Sequence, residues 1–216
     1  KTKEDYGNTD GSISFGEFKN LVGEALSKYF GSANVKRGNK AFDIKSSLQR
    51  VNANAVPALA YHYYYGDGKN DYRQPTGIAF DTDSGKRIIN WPHHTTDNGI
   101  EKHEATEQRY KKIVRILKTL RNEMQEKGIA AAHNVASFMI ESLVWNIPNE
   151  HFGNENYTDD IRNSIIYGYQ QTKEKSVAAG LMEVNNLKPL FSDVQEWTHE
   201  QANAFLVAAW NCVGFK

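Results

Sequence analysis

The chain has 216 residues, and its 26 lysines and arginines balance 26 aspartates and glutamates, so the formal net charge is zero. This length allows one large domain or two small ones with a sizeable buried core. The charge balance excludes the overall positive field of a DNA coat protein, so any nucleotide site must be local. A single cysteine, Cys212, excludes a disulfide framework and a cysteine-rich zinc site. It is consistent with the cytoplasmic location that we predict.

The two ends and the apolar runs give no sign of a membrane protein. No apolar run approaches the ~18 residues of a membrane span, and the start KTKEDYGNTDG resembles no signal peptide. We therefore predict no membrane partner. The chain begins with Lys1 instead of methionine, so we expect that a further segment precedes it.

Residues 8–18, NTDGSISFGEF, fit the later half of a calcium-binding EF-hand loop. The first ligand position falls on Tyr6, however, and too little chain precedes it for the incoming helix. We favour a helix that begins near Ser12 or Ser14, with Glu17 at capping-box spacing from Ser14, and that ends near Gly31. Its apolar side would carry Phe18, Leu21, Val22, Ala25, Leu26 and Tyr29.

Strands are predicted from there to residue 90. Residues 35–44 indicate a hairpin around Gly38 and Asn39, and residues 77–80 and 87–90 indicate a second hairpin around DTDSGK. In that second turn Asp81 and Asp83 could hold a divalent cation from alternate strand positions. Because they fall where the turn should be, we favour a solvated pair of turn residues.

Residues 50–65, RVNANAVPALAYHYYY, link the two hairpins. Period-two alternation over residues 51–56 predicts a strand with one packed face and one face carrying Asn52 and Asn54. Pro57 lacks a backbone donor, so the strand should end, bulge or run along an edge there. Residues 59–65 predict another strand, in which Tyr61 or Tyr63 either packs on the sheet, which we favour, or stacks on a base.

The rest of the chain is predicted to be helical, over residues 104–127, 131–145, 157–175 and 198–213, with threonine caps on the last two. The first of these helices is rich in lysine and arginine, which indicates either a solvated face or a face for phosphate. His93 and His94 lack an evident third metal ligand, so we assign them to a loop. The first 90 residues are thus mixed and the remainder helical, which is an α+β chain.

Five segments in this order carry a resemblance. They are KRGNKAFDIK, RVNANAVPALAYHYY, GIAFDTDSGKRIINWPHHTTDNGIEKHEATEQRYKKIVRILKTLRNE, SFMIESLVWNIP and EWTHEQANAFLVAAWNCVGF. Together they resemble the bacterial cGAS/DncV-like nucleotidyltransferases, from about Phe15 onward. The resemblance implies the C-terminal part of a polymerase-β-like core with a partial mixed sheet, over residues 1–100, and an α-helical lobe over residues 101–216.

The function implied is synthesis of cyclic di- or trinucleotide second messengers from nucleoside triphosphates in anti-phage defence. Defence-operon regulatory proteins are possible partners by the same resemblance. In that family two magnesium ions are held by three carboxylates, which neutralise charge and align the reactants. The third carboxylate maps onto Asn54, acidic residues are also common at Asn52, and the first two carboxylates would lie upstream of Lys1.

An asparagine can ligate magnesium but supplies no negative charge. The chain is therefore either a trimmed or inactivated form of an active enzyme, which we favour, or a catalytically dead nucleotide-binding or scaffold relative. The family's triphosphate-binding lysine and serine map onto Lys112 and Ser137. Lys102 and His103 occupy a connection, like a lid, where the family usually has Lys-Asn, so Lys102 is a further candidate for nucleotide binding and His103 is a departure.

Overall fold

The structure is a computed structural model that describes residues 11–63, 65–66, 72–73 and 75–216. It divides into two compact units, Lys1–Trp91 and Pro92–Lys216. Strands and one long helix form the first unit, and helices form the second, which confirms the α+β class. The domain division predicted between residues 100 and 101 stays a prediction.

The first helix begins at the capping box predicted from the sequence. Helix α1 spans Phe15–Phe30, and the Ser14 hydroxyl accepts from the Glu17 backbone while the Glu17 carboxylate accepts from the Ser14 backbone at 2.7 Å. Gly31 ends the helix with a φ of +84°. The calcium-loop hypothesis falls partly on residues 1–10, outside the described residues.

The predicted apolar side of α1 is only partly buried in this unit. Leu21 and Tyr29 are 55% and 82% exposed, whereas Lys19 is 1% exposed. The Lys19 ammonium group donates to the Asn39 carbonyl and to Asp83, each at 2.8 Å, and also contacts the Gly38 carbonyl. A buried lysine with three oxygen acceptors thus joins α1 to both hairpin turns.

Both predicted hairpins are confirmed. One antiparallel sheet has the order β1–β2–β3, from strands Val35–Arg37, Phe42–Ile44 and Ala53–Ala55. A second sheet has the order β4–β7–β8, from Leu59–His62, Thr76–Asp81 and Arg87–Asn90. Strands β5 (Tyr65–Gly66) and β6 (Tyr72–Arg73) form a separate ribbon.

Pro57 separates β3 from β4, which lie in different sheets, so the break predicted there is confirmed. The strand before it is shorter than expected, and its predicted packed face is wrong. Val51 is 81% exposed and Ala53 is exposed as well, because β3 is an edge strand whose described neighbour is β2 alone.

The Asp81–Asp83 pair has cationic side chains as partners. Arg87 donates to both Asp81 oxygens at 2.8 and 2.9 Å. Arg37 donates to both Asp83 oxygens at 3.0 and 2.8 Å, in addition to the Lys19 contact. Each carboxylate is therefore neutralised by basic side chains. Asp83 lies in the turn as predicted, whereas the prediction of a solvated turn residue is wrong for Asp81, which ends β7 opposite Arg87 of β8.

The helical unit begins with helix α2 (Pro92–Ala105), which the sequence analysis had treated as a connection. The predicted helix over residues 104–127 is wrong at its start, since α3 spans Tyr110–Glu126. Glu107 and Gln108 have φ angles of 49° and 64°, which an α-helix cannot contain. His93 and His94 lie in the first turn of α2, so their assignment to a loop is also wrong.

The later helices follow the prediction with shifted ends. Residues 131–145 comprise a short 3-10 turn (Ala130–Ala132) and helix α4 (Ser137–Trp145). Helix α5 (Tyr157–Thr172) is capped by Asn156 instead of a threonine, whereas Thr198 caps α7 (His199–Val213) as predicted. The short helix α6 (Lys175–Ala178) lies between them, and a second 3-10 turn (Asn149–His151) precedes α5.

The core of the helical unit comes mainly from α3, α4, α5 and α7. Tyr110, Met139 and Phe205 are fully buried in it. Asp160 is also fully buried, and it is satisfied by Arg109 at 3.0 Å and by the backbone and side chain of Asn154. One buried ion pair thus fixes α5 against the start of α3.

We predict that Asp83→Asn makes the free energy of unfolding depend less on pH in the acid range. Hydrogen bonds from Arg37 and then Lys19 lower the folded-state pKa of Asp83 below its ordinary value of 3.8. A lowered folded pKa contributes stability above the unfolded pKa, and this stability is lost as the pH falls below about 4. Thermal unfolding between pH 7 and 2 should show wild type more stable than the variant at pH 7, with the difference narrowing as the pH falls below 4.

The exposed Asp193 provides the control, because Asp193→Asn removes the same charge elsewhere. Its profile should run parallel to that of wild type. Parallel profiles for Asp83→Asn and wild type would contradict the role given to Asp83.

Candidate functional site

The position expected to hold a metal-binding carboxylate lies on an exposed face of the first sheet. Phe42 and Ile44 are buried on one side of β2, so Asp43 between them faces the other side. Asn54 is directly opposite Asp43 in the β2–β3 register. In the amide orientation that satisfies its hydrogen bonds, the Asn54 nitrogen donates to Asp43 Oδ1 and to the Ala53 carbonyl, each at 3.1 Å.

Asn52, the other position where acidic residues are common, shapes the connection between β2 and β3. Its side-chain oxygen accepts from the Ser46 backbone at 2.7 Å. Arg50 donates twice to the Lys45 carbonyl and stacks over the Phe30 ring at 4.5 Å. These contacts commit Asn52 to the loop, and they leave Asn54 as the amide that faces outward.

These residues alone do not form the metal site that the resemblance predicts. Among the residues that the structure describes, no group of three His, Cys, Asp or Glu side chains is arranged to hold a metal ion. Position 54 brings one amide and one carboxylate, Asp43, whereas a site for two cations uses several carboxylates. The described residues therefore do not fit a two-metal centre by themselves.

Ser137 lies at the exposed start of α4, beside α3. Arg121 donates to the Ser137 hydroxyl at 3.2 Å and also to the Val135 carbonyl. One turn away on each helix, Lys118 and Glu141 form an ion pair at 2.8 Å. A polar hollow of about 400 Å³ opens next to Ser137, lined by Gln125, Asn134, Val135, Ala136, Glu196 and Trp197.

Lys112 and Ser137 are not brought together by the contacts of this unit. Lys112 is exposed in the first turn of α3, and its ammonium lies 5.6 Å from the Tyr157 ring, which Arg109 also covers at 4.5 Å. It precedes Arg121 by nine residues, which is about 13 Å along a helix. The residues beside Ser137 are Arg121 and, one turn earlier, Lys118.

Lys102 has protein partners within the helical unit. Its ammonium donates to the Ile147 carbonyl and lies 5.5 Å from the centre of the Phe152 ring. Burial lowers the pKa of Lys102, and the nearby Glu150 opposes that shift. These contacts favour a structural role, and nucleotide binding by Lys102 stays a prediction.

The surroundings of the neighbouring His103 favour its neutral form. Burial lowers its pKa, and the positive charges of Lys111 and Lys112 lower it further, against a small opposing effect of Glu104. His103 Nδ1 accepts from the Lys111 backbone at 3.3 Å, which requires an unprotonated nitrogen. This histidine therefore links the last turn of α2 to the first turn of α3.

Tyr61 and Tyr63 both contact Trp91, with ring centres 6.1 and 6.4 Å apart in edge-to-face geometry. This arrangement agrees with the packing role that the sequence favoured over base stacking.

Sequence reasoning missed Asp43 and the pairing of Lys118, Arg121 and Glu141. Lys118 and Arg121 are three residues apart, so they share a helix face, which the sequence does show. That Glu141 and Ser137 oppose this face depends on how α3 and α4 pack. Asp43 gave a weaker signal, because only the strand register places it opposite Asn54.

Comparison with known proteins gives one family and several relatives. Residues 97–214 match the cGAS/DncV-like nucleotidyltransferase C-terminal helical domain. The chain is 36% identical over 202 residues to a cyclic dipyrimidine nucleotide synthase of Legionella pneumophila, covering 94% of this chain and 66% of the relative. It is also 36% identical over 216 residues to a synthase with the same name from Cecembia lonarensis, covering all of this chain and 72% of the relative.

A solved structure supports the same relationship. The cyclic dinucleotide synthase of Elizabethkingia meningoseptica, determined with GTP and Apcpp, superposes with a TM-score of 0.85 at 34% identity, covering 95% of this chain and 73% of that one. The chain thus spans about two thirds to three quarters of the length of these relatives. Since the match to the helical domain covers over half of the chain and the curated relatives share its remaining length, the chain belongs to the cGAS/DncV-like nucleotidyltransferase family.

Proposed function

We propose that this protein is a nucleotidyltransferase that joins nucleoside triphosphates into cyclic di- or trinucleotides, as second messengers of bacterial anti-phage defence. The observation that carries the proposal is the 36% identity to cyclic dipyrimidine nucleotide synthases over nearly the whole chain. The likeness to a synthase structure that contains GTP and Apcpp supports nucleoside triphosphates as substrates.

Magnesium is the cation that we propose for the complete enzyme. When bound, divalent ions neutralise the charge of the triphosphate and align the attacking and leaving oxygens. Among the described residues, the position that the resemblance assigns to this site is Asn54, which brings one amide beside the Asp43 carboxylate. The family resemblance predicts that the other two metal-binding carboxylates lie upstream of Lys1.

We propose that the start of α4 binds nucleotide phosphate. The Ser137 hydroxyl is exposed there, and the helix N-terminus adds the positive end of the helix dipole. Lys118 and Arg121 supply two positive charges beside Ser137, against Glu141 and the Glu196 that lines the adjoining hollow. Lys112, which the family resemblance assigns to the triphosphate, would act more than two turns away, next to Tyr157.

One observation favours the alternative, a catalytically dead relative that binds nucleotide or serves as a scaffold. Asn52 and Asn54 carry amides where the family commonly has acids, and Asn52 is committed to the Ser46 backbone. Defence-operon regulatory partners and the cytoplasmic location stay predictions. In the part of the chain that the structure describes, no helix is long and apolar enough to cross a membrane.

The activity is tested with the natural full-length protein, ATP, GTP, CTP and UTP, and magnesium. We expect a phosphatase-resistant product that is absent when EDTA is added, and labelled substrates in turn identify its bases by chromatography. Nucleotide binding without any such product, under conditions in which a related synthase is active, would support the dead relative instead.

The phosphate-binding surface is tested by comparing Lys118→Ala with Lys112→Ala. Because Lys118 is one turn from the Arg121–Ser137 contact, we expect its loss to weaken triphosphate binding about tenfold, which is ~1.4 kcal/mol. Lys112→Ala should change the affinity less than threefold. Titration with a fluorescent ATP analogue gives both values, and Lys173→Ala on the exposed end of the helical unit is the control.

A larger loss of affinity in Lys112→Ala than in Lys118→Ala would instead place the phosphate site at Lys112 and Tyr157. Thermal unfolding of each variant accompanies the titrations, since Lys118 also forms the ion pair with Glu141.

A further inference from the structure

We propose that Asp43 is a positioning residue for Asn54. Its carboxylate accepts from the Asn54 amide nitrogen and so fixes the direction in which the Asn54 oxygen points. This role rests on the proposed function, in which the face of β3 that carries Asn54 takes part in nucleotidyl transfer. It would explain how the amide at this position is held in one orientation.

The strand register supplies the first part of the argument. Phe42, Asp43 and Ile44 of β2 pair with Ala55, Asn54 and Ala53 of β3. Residues directly opposite in an antiparallel pair project on the same side of the sheet, with side chains within reach of each other. Asp43 and Asn54 are both exposed on that side of the sheet.

The hydrogen bonds of the Asn54 amide supply the second part. Its nitrogen has two acceptors, Asp43 Oδ1 and the Ala53 carbonyl, each at 3.1 Å. An amide has two N–H donors, so these acceptors use both of them. The amide oxygen is bonded to the same carbon and therefore points away from these two acceptors.

The register itself is fixed from the opposite side of the sheet. Phe42 is 3% exposed and packs so closely on α1 that a Cβ at Gly23 would lie 2.7 Å from Phe42 Cζ. The β2–β3 loop is closed by the paired backbones of Ser47 and Arg50. A one-residue slip would turn Asp43 toward α1, so this packing keeps Asp43 opposite Asn54.

An aspartate at position 54 would meet a carboxylate at position 43. Like charges directly opposite on neighbouring strands destabilise a sheet, whereas an amide beside a carboxylate is complementary. The amide and the carboxylate thus form a matched pair. Exchanging them, as Asp43→Asn with Asn54→Asp, keeps the pair and moves the negative charge to β3.

The pair is tested by NMR of the side-chain amides in the full-length protein. Asp43→Ala should move the Asn54 side-chain resonances toward those of free exposed amides. Asp43→Asn should move them much less, because the amide oxygen that this substitution introduces still accepts. Glu24→Gln, which removes one exposed charge from α1, should leave them unchanged. Unchanged Asn54 resonances in Asp43→Ala would overturn the proposal.

The positioning role is tested by steady-state kinetics on the same variants. We expect Asp43→Ala to lower kcat about tenfold with KM for the triphosphates unchanged, since misplaced groups cost rate rather than binding. Asp43→Asn should restore most of kcat, because the hydrogen bond and not the charge is required. Equal kcat for wild type and Asp43→Ala, or equal loss in both variants, would overturn positioning through this hydrogen bond.

Thermal unfolding in EDTA adds a readout that needs no activity. Asn54→Asp alone should lower Tm, and the double exchange should recover it. Failure of the exchange to recover Tm would contradict the matched pair. A wild type that makes no product would refute the proposed function together with the positioning role, while the resonances and Tm still decide whether the pair exists.

Discussion

The Lys19 ammonium group is the contact on which the first unit depends. It is buried between α1 and the two hairpin turns, where the carbonyls of Gly38 and Asn39 and the Asp83 carboxylate surround it. A buried charge is tolerated only with such partners, and removing the Asp83 carboxylate would leave the Lys19 charge uncompensated. Arg37 shares Asp83, so a single carboxylate ties β1, α1 and the β7–β8 turn together. The hairpin that holds Asp43 and Asn54 is built onto this support.

The helical unit uses the same principle at Asp160, which is fully buried and bound by Arg109 and Asn154. In each unit an ion pair with one buried partner, Lys19 or Asp160, fixes the start of a long helix, and the exposed groups proposed for function lie beyond it. Ser137, Lys118 and Arg121 lie along the α3–α4 contact, whereas Lys102 and His103 are used to join α2 to its neighbours. Lys102 and His103 thus stabilise the fold, whereas the residues along the α3–α4 contact are the ones proposed to bind a ligand.

Asn52 and Asn54, the positions where the resemblance predicts acidic residues, have different structural environments. Asn52 closes a loop through the Ser46 backbone, so its amide oxygen is occupied. Asn54 faces outward beside Asp43, where its amide complements a negative charge. Family membership therefore does not by itself establish that this chain is catalytically active. Activity depends on the charge and the orientation of the side chain at position 54. The hydrogen bond between Asp43 and Asn54 makes that orientation measurable.

The sequence by itself determined the class, both hairpins and the capping box at Ser14, since these depend on local spacing and turn chemistry, whereas the family came from the resemblance of five segments. It missed α2 and the break before α3, where Glu107 and Gln108 take positive φ angles in a segment of ordinary helix formers. Only the tertiary structure placed Lys19 inside, Lys102 against Ile147, and Asp43 opposite Asn54. Those placements depend on strand register and helix packing, which join residues far apart in the chain and leave no periodic signal in it.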